Sequence, residues 1–250
     1  VEELQRLIAG NLDSEEPSSD PSRERELLAL SGDLVKRSVW IVGGDGWAYD
    51  IGFGGIDQLL AGHHDVNLLV LDTELYSNTG GQMSKSTPKG AVAKFASGGK
   101  RSAKKDLGLM AMTYRHAYVA SVAMGASDAH TLKVMLDAES FPGPSLILAY
   151  AHCVAHGIDM AQGMAHQAWA VESGRWLLYR HDPRRRQRGR PALVVDSPKP
   201  SLPLAEAMAR ENRFRQLQSS DPEQARLLTD QAQAEVEQRW ELLQRLASCR

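Results

Sequence analysis

Four short apolar or β-branched runs, Ser38 to Gly43, Val66 to Asp72, Ala117 to Val122 and Ser145 to Tyr150, are each bounded by turn residues. Runs of this length without polar alternation are expected of strands buried on both faces. The stretches between and after them, Phe53 to Leu60, Lys105 to Arg115, Asp128 to Glu139 and Ile158 to Val171, read as helices. Strand alternating with helix predicts an α/β fold, a mostly parallel sheet with helices on both faces. Ligands of such sheets bind outside the carboxyl ends of the strands, so the residues just after each strand are the ones to inspect for chemistry.

With 250 residues, 42% of them apolar, the chain can supply one large core and an appended tail. A net charge of -2 gives no global reason to expect nucleic acid or an acidic membrane as the main partner. No apolar run approaches the roughly 20 residues that span a bilayer, and no charged-then-apolar signal opens the chain, so a soluble protein is expected. Cys153 and Cys249 are too few for a disulfide framework and fit a reducing cytoplasm. Residues 1–35 combine a weak helix, the polar run Asn11 to Ser22 and a second helix around Ser22 to Leu30; they read as a connecting arm from missing upstream domains, and the first residue is Val1 rather than methionine. Residues 36–190 hold the strand and helix pattern, and 191–250 read as a C-terminal extension. There Asp221 and Pro222 make a helix start, with a capping side chain and then proline at the first helical position. Ala225, Leu228, Ala232, Val236, Trp240 and Leu243 line one face of that helix. The face packs on this domain or, alternatively, on a missing domain or second subunit.

Gly44-Asp45-Gly46 follows the first strand, where an anion can rest against exposed backbone N–H groups and glycine permits close approach. A bare carboxylate would repel phosphate, and a bridging divalent cation removes the conflict. Magnesium takes about six oxygen ligands, few of them from protein, so further oxygen donors are expected nearby. Thr73 lies 28 residues after Asp45, just past the end of the next strand, and a strand-helix-strand unit of about 30 residues brings the two together. These residues alone leave other readings open. Gly-Asp-Gly is often only a turn, and with Asp72 it is compatible with a dinucleotide site, although Tyr49 stands where the third glycine belongs.

The longer stretches Trp40 to Gly52, WIVGGDGWAYDIG, and Leu71 to Gln82, LDTELYSNTGGQ, resemble the signatures of the C-terminal, thiamine-diphosphate-binding domain of pyruvate:ferredoxin (flavodoxin) oxidoreductases. The similarity runs from roughly Leu34 to Ala247. Threonine at 73 departs from the asparagine of the broader cofactor superfamily and agrees with this branch. The resemblance implies that Gly44, Asp45, Gly46 and Trp47, with Thr73, Glu74, Leu75, Tyr76, Ser77 and Asn78, line the cofactor. It implies a magnesium ion held by Asp45, Thr73 and the carbonyl of Leu75, and it turns Asn78 toward the reacting end, where an amide can hydrogen-bond a substrate carbonyl. By residue type alone, Asn78-Thr79-Gly80-Gly81 is equally an ordinary turn.

Cys153 stands three residues after the fourth strand, between His152 and His156. From the residues alone it is a small buried hydrophobe or, with the histidines, a zinc ligand. The resemblance makes it one ligand of a [4Fe-4S] cluster whose other three thiolates lie upstream. His152 and His156 are then structural or supporting groups, and Cys249 is an exposed thiol. Arg180, Arg184, Arg185, Arg186, Arg188 and Arg190 form a basic run that reads as a solvated loop or, alternatively, as a docking patch for an acidic ferredoxin or flavodoxin. Nucleic-acid binding would want aromatic interleaving, which is missing.

The resemblance implies a parent enzyme, a homodimer with upstream pyrimidine-binding and ferredoxin-like domains. It decarboxylates pyruvate oxidatively, joins the acetyl group to coenzyme A and passes electrons through iron-sulfur clusters to ferredoxin or flavodoxin. The isolated chain is expected to be inactive. Two other readings stand beside this one: a non-oxidative thiamine-dependent decarboxylase or synthase, against which Cys153 speaks, and a non-catalytic fragment serving as an interaction module.

Overall fold

The computed structural model describes residues 1–14, 20–34 and 37–249. Part of the polar run Asn11 to Ser22, and residue 35 at the end of the expected arm, lie outside the described residues. The chain forms two compact units, Val1–Val39 and Trp40–Arg250. In the first, helices α1 (Glu2–Leu12) and α2 (Pro21–Ser31) pair, with Ile8 buried and Gln5 Nε2 donating to Ser31 Oγ at 2.8 Å. Asp20 caps α2 by accepting from the N–H of Arg23, with Pro21 at the first helical position.

The second unit is built on a six-stranded sheet of order β1-β2-β4-β3-β5-β6. The strands β1 (Trp40–Gly44), β2 (Asn67–Asp72), β3 (Tyr118–Val122) and β4 (Ser145–Tyr150) are parallel and correspond to the four apolar runs. Two short strands, β5 (Tyr179–His181) and β6 (Leu193–Val195), continue the sheet antiparallel beyond β3. Sequence reasoning missed both, because three residues are too few to show a period and Arg180 interrupts the apolar character of β5. β6 carries the sheet past residue 190.

Successive side chains alternate between the two faces of the sheet. Leu68, Val70, Val119, Leu146 and Leu148 point to one face, into a core shared with α3 (Phe53–Ala61), α4 (Leu107–Met112), α6 (Gly163–Glu172) and α9 (Pro222–Ser248). Tyr118, Ala120, Val122 and Ile147 point to the other, against Val134 and Ala138 of α5 (Asp128–Glu139). Burial on both sides is why these strands read as unbroken apolar runs. Over β1 and β2 the second face is less covered, leaving Val42 57% and Leu71 42% exposed.

Helix boundaries follow their caps. Asp106 Oδ1 accepts from the N–H of Leu109 at 3.0 Å and starts α4 two residues later than the expected Lys105. The stretch expected to be helical from Ile158 instead opens with a 3-10 turn at Met160–Gln162, capped by Asp159, and becomes α-helical only at Gly163. The long terminal helix begins as read, with Asp221 accepting from Gln224 N at 3.0 Å. Its apolar face packs within this unit: Leu228, Ala232 and Leu243 are buried, while Val236 and Trp240 lie against the cores. Complete burial of Leu243 alone contributes about 1.5–3 kcal/mol. An ion pair between Arg239 Nε and Asp106 Oδ2, 2.7 Å, ties α9 to the start of α4. Between them α7 (Leu204–Met208) and α8 (Asn212–Ser220) bring residues 211–214 back toward the carboxyl end of the sheet, where Arg213 reaches Glu74.

Candidate functional site

β1 and β2 are neighbours in register, with Gly44 opposite Leu71, so the turns that leave them emerge side by side. After Gly44 the chain enters a six-residue π-helical turn, Gly46–Ile51, in place of a regular helix. Single π turns of this kind often accompany functional sites. Gly44 is open, since an added Cβ would meet only the Leu71 carbonyl, 4.0 Å away. Gly46 is closed, because the same atom would fall 2.3 Å from the Tyr76 ring. The first glycine thus leaves backbone accessible and the second lets β1 and β2 turns pack together. The half-buried Trp47 packs its ring over Gly43 and Gly52, leaving no room for a side chain at either.

Asp45 and Thr73 meet as their spacing suggested. Thr73 Oγ1 lies 2.9 Å from Asp45 Oδ1 and 3.0 Å from the Leu75 carbonyl oxygen, while Ser84 Oγ donates to Asp45 Oδ2 at 2.6 Å. A hydroxyl has one proton, so Thr73 can donate to only one of its two acceptors at a time. Oxygens bound cis on magnesium at 2.0–2.1 Å stand about 2.9 Å apart, close to the two distances from Thr73 Oγ1. Burial, followed by the nearby charge of Asp72, pushes the Asp45 carboxyl up to about 6, although both hydroxyls favour its ionised form. A divalent cation would remove that penalty. Donor chemistry and spacing therefore fit magnesium.

Glu74 lies between the two donors with φ 61, in the left-handed region, and is fully buried. Its carboxylate pairs with Arg213 at 2.5 Å and Lys104 at 3.4 Å. Burial opposes its ionisation, but Lys104, Arg213 and Arg175 outweigh that and hold it well below the usual carboxylate range. Asp72 is equally engaged, accepting from Lys104, from Ser86 Oγ and from the N–H of Glu74. Asp72 is also fully buried, out of reach of a ribose, which speaks against the dinucleotide reading. Tyr76 is half-buried against Gly46, and Ser77 and Asn78 are exposed on the turn that follows.

Cys153 is half-buried and opens a 3-10 turn, Val154–His156, with its Sγ accepting from Ala155 N at 3.4 Å. His156 is fully buried and donates from Nε2 to the Thr73 carbonyl at 2.7 Å. Burial and then the Arg213 charge push its pKa down to about 3, so it is a neutral donor. The cysteine loop and the Asp45–Thr73 turn are thereby joined. His152 instead bonds Gln167, whose amide oxygen accepts from Gly125 N at 2.9 Å. Among the described residues no cluster of histidine, cysteine and carboxylates could hold a metal, so the zinc reading finds no support. Ser84, Lys104, Glu211 and Arg213 had no signal in the sequence, because nothing local marks a serine or a lone arginine as the partner of a distant carboxylate.

Residues 28–149 match the family described as thiamine pyrophosphate enzyme, C-terminal TPP binding domain. A pyruvate-flavodoxin oxidoreductase of Trichormus variabilis is 61% identical over 227 residues, covering 91% of this chain and 19% of that protein. Over most of its length the chain is similar to pyruvate-flavodoxin oxidoreductases. A pyruvate:ferredoxin oxidoreductase of Moorella thermoacetica is 51% identical over 86% of the chain and 18% of its own length, and a probable pyruvate-flavodoxin oxidoreductase of Escherichia coli 48% over 92% and 20%. The chain thus spans about a fifth of the length of these relatives. A solved 2-oxoglutarate:ferredoxin oxidoreductase from Magnetococcus marinus aligns with 60% of the chain and 46% of its own, at 19% identity and a TM-score of 0.46. No described helix is long and apolar enough to cross a membrane.

The basic run divides in two. Arg180 is bound to Asp196 and Asp137, Arg184 to Asp182 and Ser140, and Arg185 to the Pro191 carbonyl. Arg186, Arg188 and Arg190 remain exposed.

Proposed function

We propose that this chain holds the diphosphate and magnesium ion of thiamine diphosphate in an enzyme that oxidises pyruvate to acetyl-CoA and carbon dioxide, with flavodoxin or ferredoxin as electron acceptor. The convergence of Asp45, Thr73 and the Leu75 carbonyl carries this reading. Those three oxygens would hold the magnesium ion, and the open backbone at Gly44 would let the diphosphate approach. When bound, the cofactor supplies stabilisation of a carbanion at its thiazolium carbon, chemistry that no side chain offers.

The chain's own residues position and connect. The Asp45 carboxylate offsets cation charge, the Thr73 hydroxyl orients against both neighbours, and Asn78, on the exposed turn, would donate to a substrate carbonyl at the reacting end. Cys153 would give one thiolate of a [4Fe-4S] cluster, with three more from upstream domains. His156 fastens the Cys153 loop directly to the turn of Thr73, so a cluster held there would lie close to the cofactor turn. Arg186, Arg188 and Arg190 are the part of the basic run left to steer an acidic electron carrier.

In this reading the chain holds half a site. The glutamate that activates thiamine and three cluster cysteines belong to upstream domains. Purified alone, with pyruvate, coenzyme A, thiamine diphosphate, magnesium and a viologen dye, the chain is expected to give no coenzyme-A-dependent dye reduction. Joined to the upstream domains of its relatives, it is expected to turn over. A rate from the chain alone equal to that of the assembled enzyme would contradict the half-site arrangement.

A further inference from the structure

The turn that carries two of the three oxygens is strained and heavily fastened. Glu74 separates Thr73 from Leu75 at φ 61, a conformation that a residue with a side chain holds only when its surroundings impose it. Its N–H donates to Asp72 Oδ1 at 2.9 Å, and its carbonyl accepts from Thr87 Oγ1 at 2.7 Å. Its carboxylate is gripped by Arg213, 139 residues away in the chain.

Arg213 is itself held. Its Nε donates to Glu211 at 2.7 Å, and the other oxygen of Glu211 takes Arg175 at 2.5 Å. The side chains of Glu74, Glu211 and Arg213 are 1%, 2% and 3% exposed. Backbone bonds clamp the same segment on both sides: Val92 N donates to the Arg213 carbonyl at 2.8 Å, and Asn212 N to the Gly157 carbonyl at 3.3 Å. Gly157 ends the Cys153 turn, and a Cβ there would fall 2.4 Å from Asn212. Residues 211–213 therefore touch both the cofactor turn and the cysteine loop without reaching the place of either ligand.

A buried ion pair is a poor source of net stability beside an apolar replacement, whereas it does fix geometry. We infer that Arg213, oriented by Glu211, is a positioning residue that holds Thr73 and Leu75 in ion-binding geometry from the C-terminal part of the chain. The inference rests on the reading of Asp45, Thr73 and Leu75 as the magnesium ligands.

Manganese(II) can report on this in the enzyme assembled from the chain and its upstream domains, with thiamine diphosphate present and free ion counted by electron paramagnetic resonance. Arg213→Met is expected to bind the ion about 10- to 100-fold more weakly, the range for losing a group that supports a ligand. The measurement is made well below each protein's unfolding midpoint, so a lower midpoint alone does not move it. Arg213→Lys keeps the charge but cannot hold Glu74 and Glu211 in one fork, and is expected to fall between the parent and Arg213→Met. If Arg213→Met does not fold, the lysine variant decides. Manganese affinity within twofold of the parent in a folded variant would overturn the inference. Asp45→Ala serves as the control: loss of the ion there, with affinity intact in the Arg213 variants, refutes only the positioning role, whereas an unchanged Asp45→Ala overturns the ligand reading and the inference with it.

Discussion

Asp45→Ala is expected to weaken magnesium-dependent binding of thiamine diphosphate by more than about 100-fold, beyond the 10- to 100-fold loss usual for a supporting partner. Asp45 is the one carboxylate in the oxygen trio, and its place there is built at some cost, since burial and Asp72 both disfavour its charge. Removing it leaves the Thr73 and Ser84 hydroxyls without their shared acceptor but leaves no buried charge behind. Folding should therefore survive. Asp45→Asn separates charge from shape and is expected to lose nearly as much affinity. Titration calorimetry of the assembled enzyme with and without magnesium measures this, and equal affinities in parent and variant would remove Asp45 from the ion's shell.

Cys153→Ala is expected to cost the assembled enzyme one [4Fe-4S] cluster, or to leave that cluster with an altered resonance, and to abolish transfer of electrons to the dye. The side chain is half-buried, and its one hydrogen bond among the described residues is a 3.4 Å contact from the N–H of Ala155, so little of the fold depends on it. Far-ultraviolet circular dichroism should be unchanged. Iron and inorganic sulfide are counted together with the electron paramagnetic resonance spectrum of the reduced enzyme. A full, unaltered complement of clusters would make Cys153 an ordinary packing residue.

The four parallel strands were legible because each reads as a continuous apolar run, from burial on both faces in β3 and β4 and despite the less covered second face of β1 and β2. Asp45 and Thr73 were legible as a pair because a strand-helix-strand unit returns the chain to the same sheet edge after about 30 residues. What holds the pair in place was not. The left-handed Glu74 shows no glycine or asparagine to announce it, and its partner Arg213 is set by how the tail folds back rather than by any local pattern. Arg180 and Arg184 looked like members of a solvated run, yet Arg180 finds Asp196 and Asp137, brought near by the sheet and α5, while Arg184 pairs with Asp182 two residues away and donates to Ser140 after α5. Charged residues that pair over long sequence distances carry no period, and periods are what a sequence displays.

In the proposed function Asp45, Thr73 and the Leu75 carbonyl share one divalent ion. Crystals of the assembled enzyme grown with thiamine diphosphate and manganese in place of magnesium test it through the anomalous signal of the metal. One peak is expected roughly 2.0–2.3 Å from a carboxylate oxygen of Asp45, the Thr73 hydroxyl and the Leu75 carbonyl, with the remaining positions filled by diphosphate oxygens and water. A cofactor-bound structure whose metal peak lies away from these three oxygens would contradict it.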